Sequence, residues 1–287
     1  MKYKSHILLF LIILLSCSSK TKTVTETSVK AVYHQKDKEI FERILHQFSA
    51  DKDASTAELI IKVGSFFIDT PYVAHTLEKE PEQLIVNLRE LDCTTFAESV
   101  LAISRAIKSE KPSFETFAKE LQNIRYRDGI IDGYPSRIHY FSDWIFENNK
   151  LGLIKDISTE IANIPYSLQV NFMSTHPESY VQLKDSTLIP VIANMEQEIS
   201  KREMYYIPEE RIAEFENSLQ DGDIAGITTS IKGMDISHVV ILQRVAGRIH
   251  ILHASQTANK VILSDETLEE YLKNSKSATG IMVARPQ

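Results

Sequence analysis

Two hydrophobic periods divide this chain, and their order limits the folds open to it. From Asp37 to about Gln122 apolar residues recur at steps of three and four, the spacing of one helix face. Phe41, Ile44, Leu45 and Phe48 form one such stripe, and Leu59, Val63, Phe66 and Phe67 a second. Phe96, Val100, Ile103 and Ile107 form a third, preceded by Asp92. Aspartate is a good N-cap, so Cys93 is predicted to be the first residue of that helix. A fourth helix is expected over Ser113–Gln122. The last quarter shifts to the period of strands, over Ile224–Thr229, Ser237–Gln243, Arg248–Ser255 and Gly280–Arg285, with a short helix expected at Ser264–Lys273. Helices first and strands later argue for an α+β fold.

Between these halves the pattern is weaker. Residues 124–150 mix Gly, Pro and Asp with aromatic residues and read as loop. Ser167–Met173 alternates and reads as a strand, and Pro208-Glu209-Glu210 opens a short helix. At 43% hydrophobic residues the 287-residue chain can build one large core, and its net charge of −7 gives no electrostatic reason to expect a nucleic-acid partner.

The first residues are not expected to join the core. A basic Met1–Lys4 precedes the apolar run Ile7–Leu15, too short to span a bilayer comfortably but right for the centre of a secretory signal. Leu14-Leu15-Ser16-Cys17 resembles a lipobox, after which Cys17 would be lipidated and become the N-terminus. Residues 18–36, rich in Ser, Thr and Lys, read as a flexible tether. The expected organisation is a lipoprotein signal over 1–17, the tether over 18–36 and one domain over 37–287. The expected location is a bacterial membrane, on its periplasmic side, with a monomer held by its lipid anchor.

Lipidation of Cys17 would leave Cys93 as the one free thiol of an exported protein. The start of a helix offers a thiol the positive end of the dipole and free backbone N–H groups. Both favour the nucleophilic thiolate and can stabilise an oxyanion. A thiol nucleophile needs an imidazole. A hairpin centred between Val245 and Ala246 would set His238 directly across from His253 on one face. His46, His75, His139 and His176 read as solvated or capping residues. Two histidines also suit zinc, but the sequence supplies no third ligand at metal-site spacing, so no metal or other cofactor is expected.

Together the motifs resemble the NlpC-type peptidoglycan hydrolases, a papain-like group. They are Asp69-Thr-Pro-Tyr72, Asp92-Cys93, Gly222-Asp223-Ile224, His238-Val-Val-Ile241 and His253-Ala-Ser255. Asp69 stands where that family usually has glycine, and Thr-Thr follows Cys93. Asp92–Glu98, Arg125-Tyr126 and Arg137–Trp144 resemble the N-acetylmuramoyl-L-alanine amidase-like branch. The resemblance implies a papain-like core with a long insertion at about 110–220, acting on peptidoglycan or muropeptide fragments through a Cys93 thioester. It gives Cys93 as nucleophile, His238 as base, His253 as its orienting partner and Tyr72 as an oxyanion donor. For the insertion, Tyr140 and Trp144 are expected either to stack on sugar or to form an i, i+4 core pair on a short helix, and Arg125, Tyr126 and Arg137 to contact substrate, with Arg125 or Arg137 holding a carboxylate. The alternatives are an endopeptidase cutting after D-glutamate, a non-catalytic wall-binding lipoprotein, and a glycosidase with paired carboxylates.

Overall fold

The computed structural model describes residues 29–167 and 169–287. The expected signal, Cys17 and tether residues 18–28 lie outside the described residues. Within the described part of the segment expected as tether, strand β1 (Ala31–Tyr33) pairs in parallel with β2 (Leu84–Val86). Tyr33 also meets Phe114, with ring centroids 4.6 Å apart. A three-residue strand is too short to show a period in sequence. His34 then caps helix α1 (Gln35–Phe48), its side chain accepting from the Lys36 amide.

The predicted helices form where their stripes lie: α2 (Thr56–Phe66), α3 (Cys93–Lys108) and α4 (Phe114–Arg125). Helix α3 is buried along most of its length and packs on α2, α4 and the sheet. Helix α2 comes so close that a β-carbon at Gly64 would lie 2.7 Å from Leu252 Cδ2. Residues 124–150, expected as loop, contain helix α5 (Phe141–Lys150) after two 3₁₀ turns.

The remaining strands are β3 (Ile154–Asp156), β4 (Ile164–Pro165), β5 (Tyr205–Pro208), β6 (Ile224–Thr229), β7 (Ile236–Val245), β8 (Arg248–Ser255), β9 (Lys260–Thr267) and β10 (Ala278–Pro286). They form one antiparallel sheet in the order β4-β5-β10-β6-β7-β8-β9, with β3 also on β10. Both faces are covered. Val239, Ile241 and Leu252 join the core with α3, while Val240, Leu242 and Ile251 join a second core with the helix Leu268–Asn274. This is why the centre of β7, Val239–Leu242, is a continuous apolar run.

Three further expectations are corrected. The helix expected at Ser264–Lys273 starts at Leu268, and Lys260–Thr267 is a strand. The strand expected over Ser167–Met173 gives way to a helical turn at Phe172–Thr175, with Val170 making an isolated bridge to Gly233. The β7–β8 turn is Ala246-Gly247, so Val245 pairs with Arg248 and Ile241 with Leu252. The register is displaced by two residues from the expected one. An even displacement preserves the face on which each side chain lies.

Candidate active site

The N-terminus of α3 is fixed by a reciprocal cap. Asp92 Oδ1 accepts from the Thr95 amide at 2.8 Å, and Thr95 Oγ1 accepts from the Asp92 amide at 2.9 Å. Cys93 is therefore the first helical residue, as predicted. Just before it, Tyr72 bridges to Leu91. Asp69, at the position where the resemblance expected glycine, has φ 70°, the left-handed region that glycine enters without cost. Its carboxylate takes the Lys260 ammonium at 2.6 Å. Gly222 is required by space as well as by its φ of 80°, since a β-carbon there would lie 2.8 Å from Ala57 Cα.

The even displacement keeps the two histidines together. His238 Nε2 lies 2.6 Å from His253 Nδ1, with the rings nearly perpendicular at a centroid distance of 4.9 Å. They meet diagonally across the hairpin, and Tyr271 flanks both rings. A register shift between Ile227 and Thr228 places an irregularity of the β6–β7 ladder beside His238.

Cys93 and His238 line one cavity of about 220 Å³. The Cys93 sulfur lies 4.0 Å from Thr94 Oγ1. Residues of the expected insertion build most of the far wall: Ile138, His139, Tyr140, Phe141, Trp144, Phe172, Met173 and Tyr180. Glu98 and Asp235 also line it.

Burial acts against the activation expected of the thiol. Burial, and then the Asp92 charge, push the Cys93 thiol up to about 11, against the opposing pull of the Val239 backbone and Thr94. Burial, then His253, holds His238 down at about 3, and burial holds His253 at about 4. Desolvation is the largest cause for each group, and it disfavours the charged form of thiol and imidazole alike. Burial, then Cys93 and Asp92, raises the Tyr72 phenol to about 12, so it stays a hydrogen-bond donor.

The residues expected to hold substrate carboxylates are engaged by the protein itself. Arg125, 2% exposed, donates to Glu98 Oε2 at 2.7 Å and to the Ile85 carbonyl at 2.7 Å. Arg137 is held by Glu78 and the Leu77 carbonyl, and the Tyr126 hydroxyl donates to Glu82 at 2.7 Å. Tyr140 donates to Glu196 at 2.7 Å, and Trp144 stacks on Phe141 at 5.3 Å. Tyr140 and Trp144 still contribute to the cavity wall, but as buried residues rather than an exposed sugar platform.

His139 was read as solvated or capping, and instead it is partly buried at the cavity. Its Nε2 lies 3.0 Å from the Tyr134 carbonyl and its ring lies on Tyr134. Its one sequence signal was membership of the Arg137–Trp144 run. Tyr180 and Tyr271 carried none. Among the described residues no group of three or more His, Cys, Asp or Glu is arranged to hold a metal ion.

Residues 62–281 match the model of the AmiA-like family, described as N-acetylmuramoyl-L-alanine amidase-like. An N-acetylmuramoyl-L-alanine amidase structure from Bacteroides uniformis is 38% identical, covers 81% of this chain and 99% of its own, and superposes with a TM-score of 0.78. A candidate xylanase from Bacteroides fragilis is 41% identical over 78% of this chain and 99% of its own, with a TM-score of 0.75. A Legionella pneumophila protein shares the fold at 21% identity, over 86% of this chain and 94% of its own, with a TM-score of 0.66. No curated protein matches this chain.

Proposed function

Because this chain belongs to the AmiA-like, N-acetylmuramoyl-L-alanine amidase-like family, we propose that it hydrolyses the amide between the lactyl group of N-acetylmuramic acid and L-alanine through a Cys93 thioester. The observation that carries this reading is the cavity shared by Cys93 and His238, together with the 2.6 Å contact from His238 to His253. In this reading the core is papain-like and the substrate is peptidoglycan or a fragment of it.

The contact restricts the chemistry. One of two neutral rings must donate and the other accept. If His238 carries its proton on Nε2 and donates to His253 Nδ1, its own Nδ1 keeps a lone pair and can act as a base. The opposite tautomer puts the proton on His238 Nδ1 and blocks that role. His253 thus acts by setting the tautomer of His238.

As sulfur attacks the lactyl carbonyl, the thiol proton passes to His238 Nδ1. Each new charge offsets the cost of burying the other, which is why a pair neutral at rest can ionise together. The oxyanion meets the first amides of α3 and the Tyr72 hydroxyl. The carbon–nitrogen bond breaks as imidazolium protonates the alanine nitrogen. Water then adds to the thioester while His238 takes its proton, and the departing sulfur recovers it, leaving a free lactyl carboxylic acid.

The B. fragilis neighbour favours examining a glycosidase, which needs two carboxylates across the cleft. Glu98 and Asp235 line the cavity, but Arg125 holds one and the Ser142 and Ile236 amides hold the other. Digestion of a defined muropeptide, with products weighed, separates the readings. Free sugar acid plus intact peptide supports the amidase. A sugar still bearing a dipeptide identifies an endopeptidase, and cleavage that survives Cys93→Ala identifies a glycosidase.

The same reading includes residues 1–17 as a lipoprotein signal, Cys17 as the lipidated residue and export to the periplasmic side of the membrane. Labelling cells with a clickable fatty acid tests it: the label should be lost in Cys17→Ala, and label retained there contradicts it.

A further inference from the structure

Tyr271 has no part in the proposed mechanism, yet its ring meets both histidines. The three rings form a triangle. Their centroids are 4.9 Å apart between His238 and His253, 5.7 Å between His253 and Tyr271, and 6.4 Å between His238 and Tyr271. His253 stands nearly perpendicular to the other two, at 81° to His238 and 83° to Tyr271, while the planes of those two differ by 25°. An edge-to-face contact at this separation is attractive. Tyr271 does not line the Cys93 cavity, so it meets the pair from another side.

The relay needs one atom of His253 in one place. His238 Nε2 faces His253 Nδ1 at 2.6 Å, and only a lone pair there can accept its proton. A half-turn of the His253 ring about its Cβ–Cγ bond exchanges Nδ1 with Cδ2, a carbon that accepts nothing. The imidazole torsion is broad and roughly two-fold, so its own preference does not forbid that turn. In the relay tautomer His253 Nε2 carries the other proton, and among the described residues no hydrogen bond holds it. The ring, 3% exposed, is therefore oriented by what packs on it.

The mount behind Tyr271 is firm. Its helix, Leu268–Asn274, is capped reciprocally by Thr267 and Glu270, and buried Leu268 and Leu272 seat it in the second core. Asn274 Nδ2 donates to Glu266 Oε2 at 2.8 Å, tying the end of the helix to its start. The Tyr271 hydroxyl has no hydrogen-bond partner among the described residues, so the ring and not the hydroxyl makes the contact.

We propose that Tyr271 is a positioning residue whose ring holds His253 against the half-turn that would take the acceptor away from His238. The assignment rests on the reading of His238 as the base and deepens it.

The test uses the full chain, isotope-labelled at the histidine nitrogens, and N-acetylmuramoyl-L-alanyl-D-isoglutamine as substrate. Nitrogen chemical shifts report which ring nitrogen carries the proton, without any turnover. Wild type should show His238 protonated on Nε2 alone. Tyr271→Ala frees the His253 ring, so His238 should show both tautomers, and kcat should fall about three- to tenfold with KM unchanged. Tyr271→Phe keeps the ring and should return kcat to within about twofold of wild type. In a His253→Ala background, Tyr271→Ala should cost less than about 1.5-fold, because the ring it holds is gone. Tyr271→Leu, which keeps apolar bulk without a flat ring, takes the place of Tyr271→Ala if that variant does not fold. A single Nε2 tautomer of His238 in Tyr271→Ala overturns the assignment. So does an equal loss with and without His253, or an equal loss in the Phe and Ala variants. A wild type that leaves the muramoyl amide uncut overturns the amidase reading instead, and the nitrogen shifts still decide the role of Tyr271.

Discussion

Single residues at this site work against their own solvation. Cys93 and His238 are both buried enough to rest neutral, so at neutral pH the thiol should alkylate with iodoacetamide more slowly than a free cysteine model. Asp92 contributes to this, and its charge can be removed without losing the cap, since asparagine caps as well as aspartate. Asp92→Asn should therefore lower the pH midpoint of Cys93 alkylation, and an unchanged or raised midpoint contradicts the account. At the other end of the relay, His253→Asn keeps an acceptor for the His238 Nε2 proton, whereas His253→Ala does not. Asn should retain at least tenfold more kcat than Ala, and equal losses would show that tautomer control is not the role of His253. Cys93, His238 and Asp92 were legible in sequence because a helix stripe and a strand run bracket them. His139 and the buried pairing of Arg125 were not. Whether an arginine meets substrate or Glu98 depends on burial, which residue type alone does not report.

At the scale of elements, legibility followed regularity of period. Helix α3 and strand β6 were recovered because each keeps one period over its length. Strand β9 was hidden because the β8–β9 ladder shifts register between His250 and Leu252. Its buried residues fall at Val261, Ser264 and Thr267, a step of three that imitates a helix. The β7–β8 turn was misplaced for another reason. Ala246 and Gly247 both have positive φ, at 48° and 88°, a turn that favours Asn-Gly and that alanine does not announce. Ala246→Asn should therefore stabilise the hairpin by some tenths of a kcal/mol up to about 1, read from the denaturant midpoint. A lower midpoint would contradict the turn assignment. Helices α3 and α4 are joined by the buried Arg125–Glu98 pair, and Arg125→Met should cost about 3–5 kcal/mol by stranding the Glu98 carboxylate. Restoring much of that loss with Glu98→Leu in the same chain would confirm that the penalty is an unpaired charge.

For the molecule as a whole, buried histidines link stability to pH. His139, His238 and His253 stay neutral in the fold down to about 3, 3 and 4, while in the unfolded chain they take protons near their ordinary value. Their stabilising contribution is complete above about pH 6.5 and falls as pH drops below it, by up to about 1.4 kcal/mol per pH unit for each. Buried Glu98 and Asp235, raised by burial, act in the opposite direction. The clean comparison is between variants: His253→Asn should lose less stability than wild type between pH 7 and pH 5, and parallel losses would contradict the linkage. The α+β class could be read from the order of periods, and Tyr140 and Trp144 of the cavity wall from their aromatic character, but Phe172, Met173 and Tyr180 could not, because they lie on short turns with no period to read. The most direct test of the central claim is the mass of the enzyme quenched in acid during turnover of a defined muropeptide. The account predicts a muramoyl acyl group on the peptide that contains Cys93, absent in Cys93→Ala. A peptidyl adduct on that residue, or steady turnover by Cys93→Ala, would contradict it.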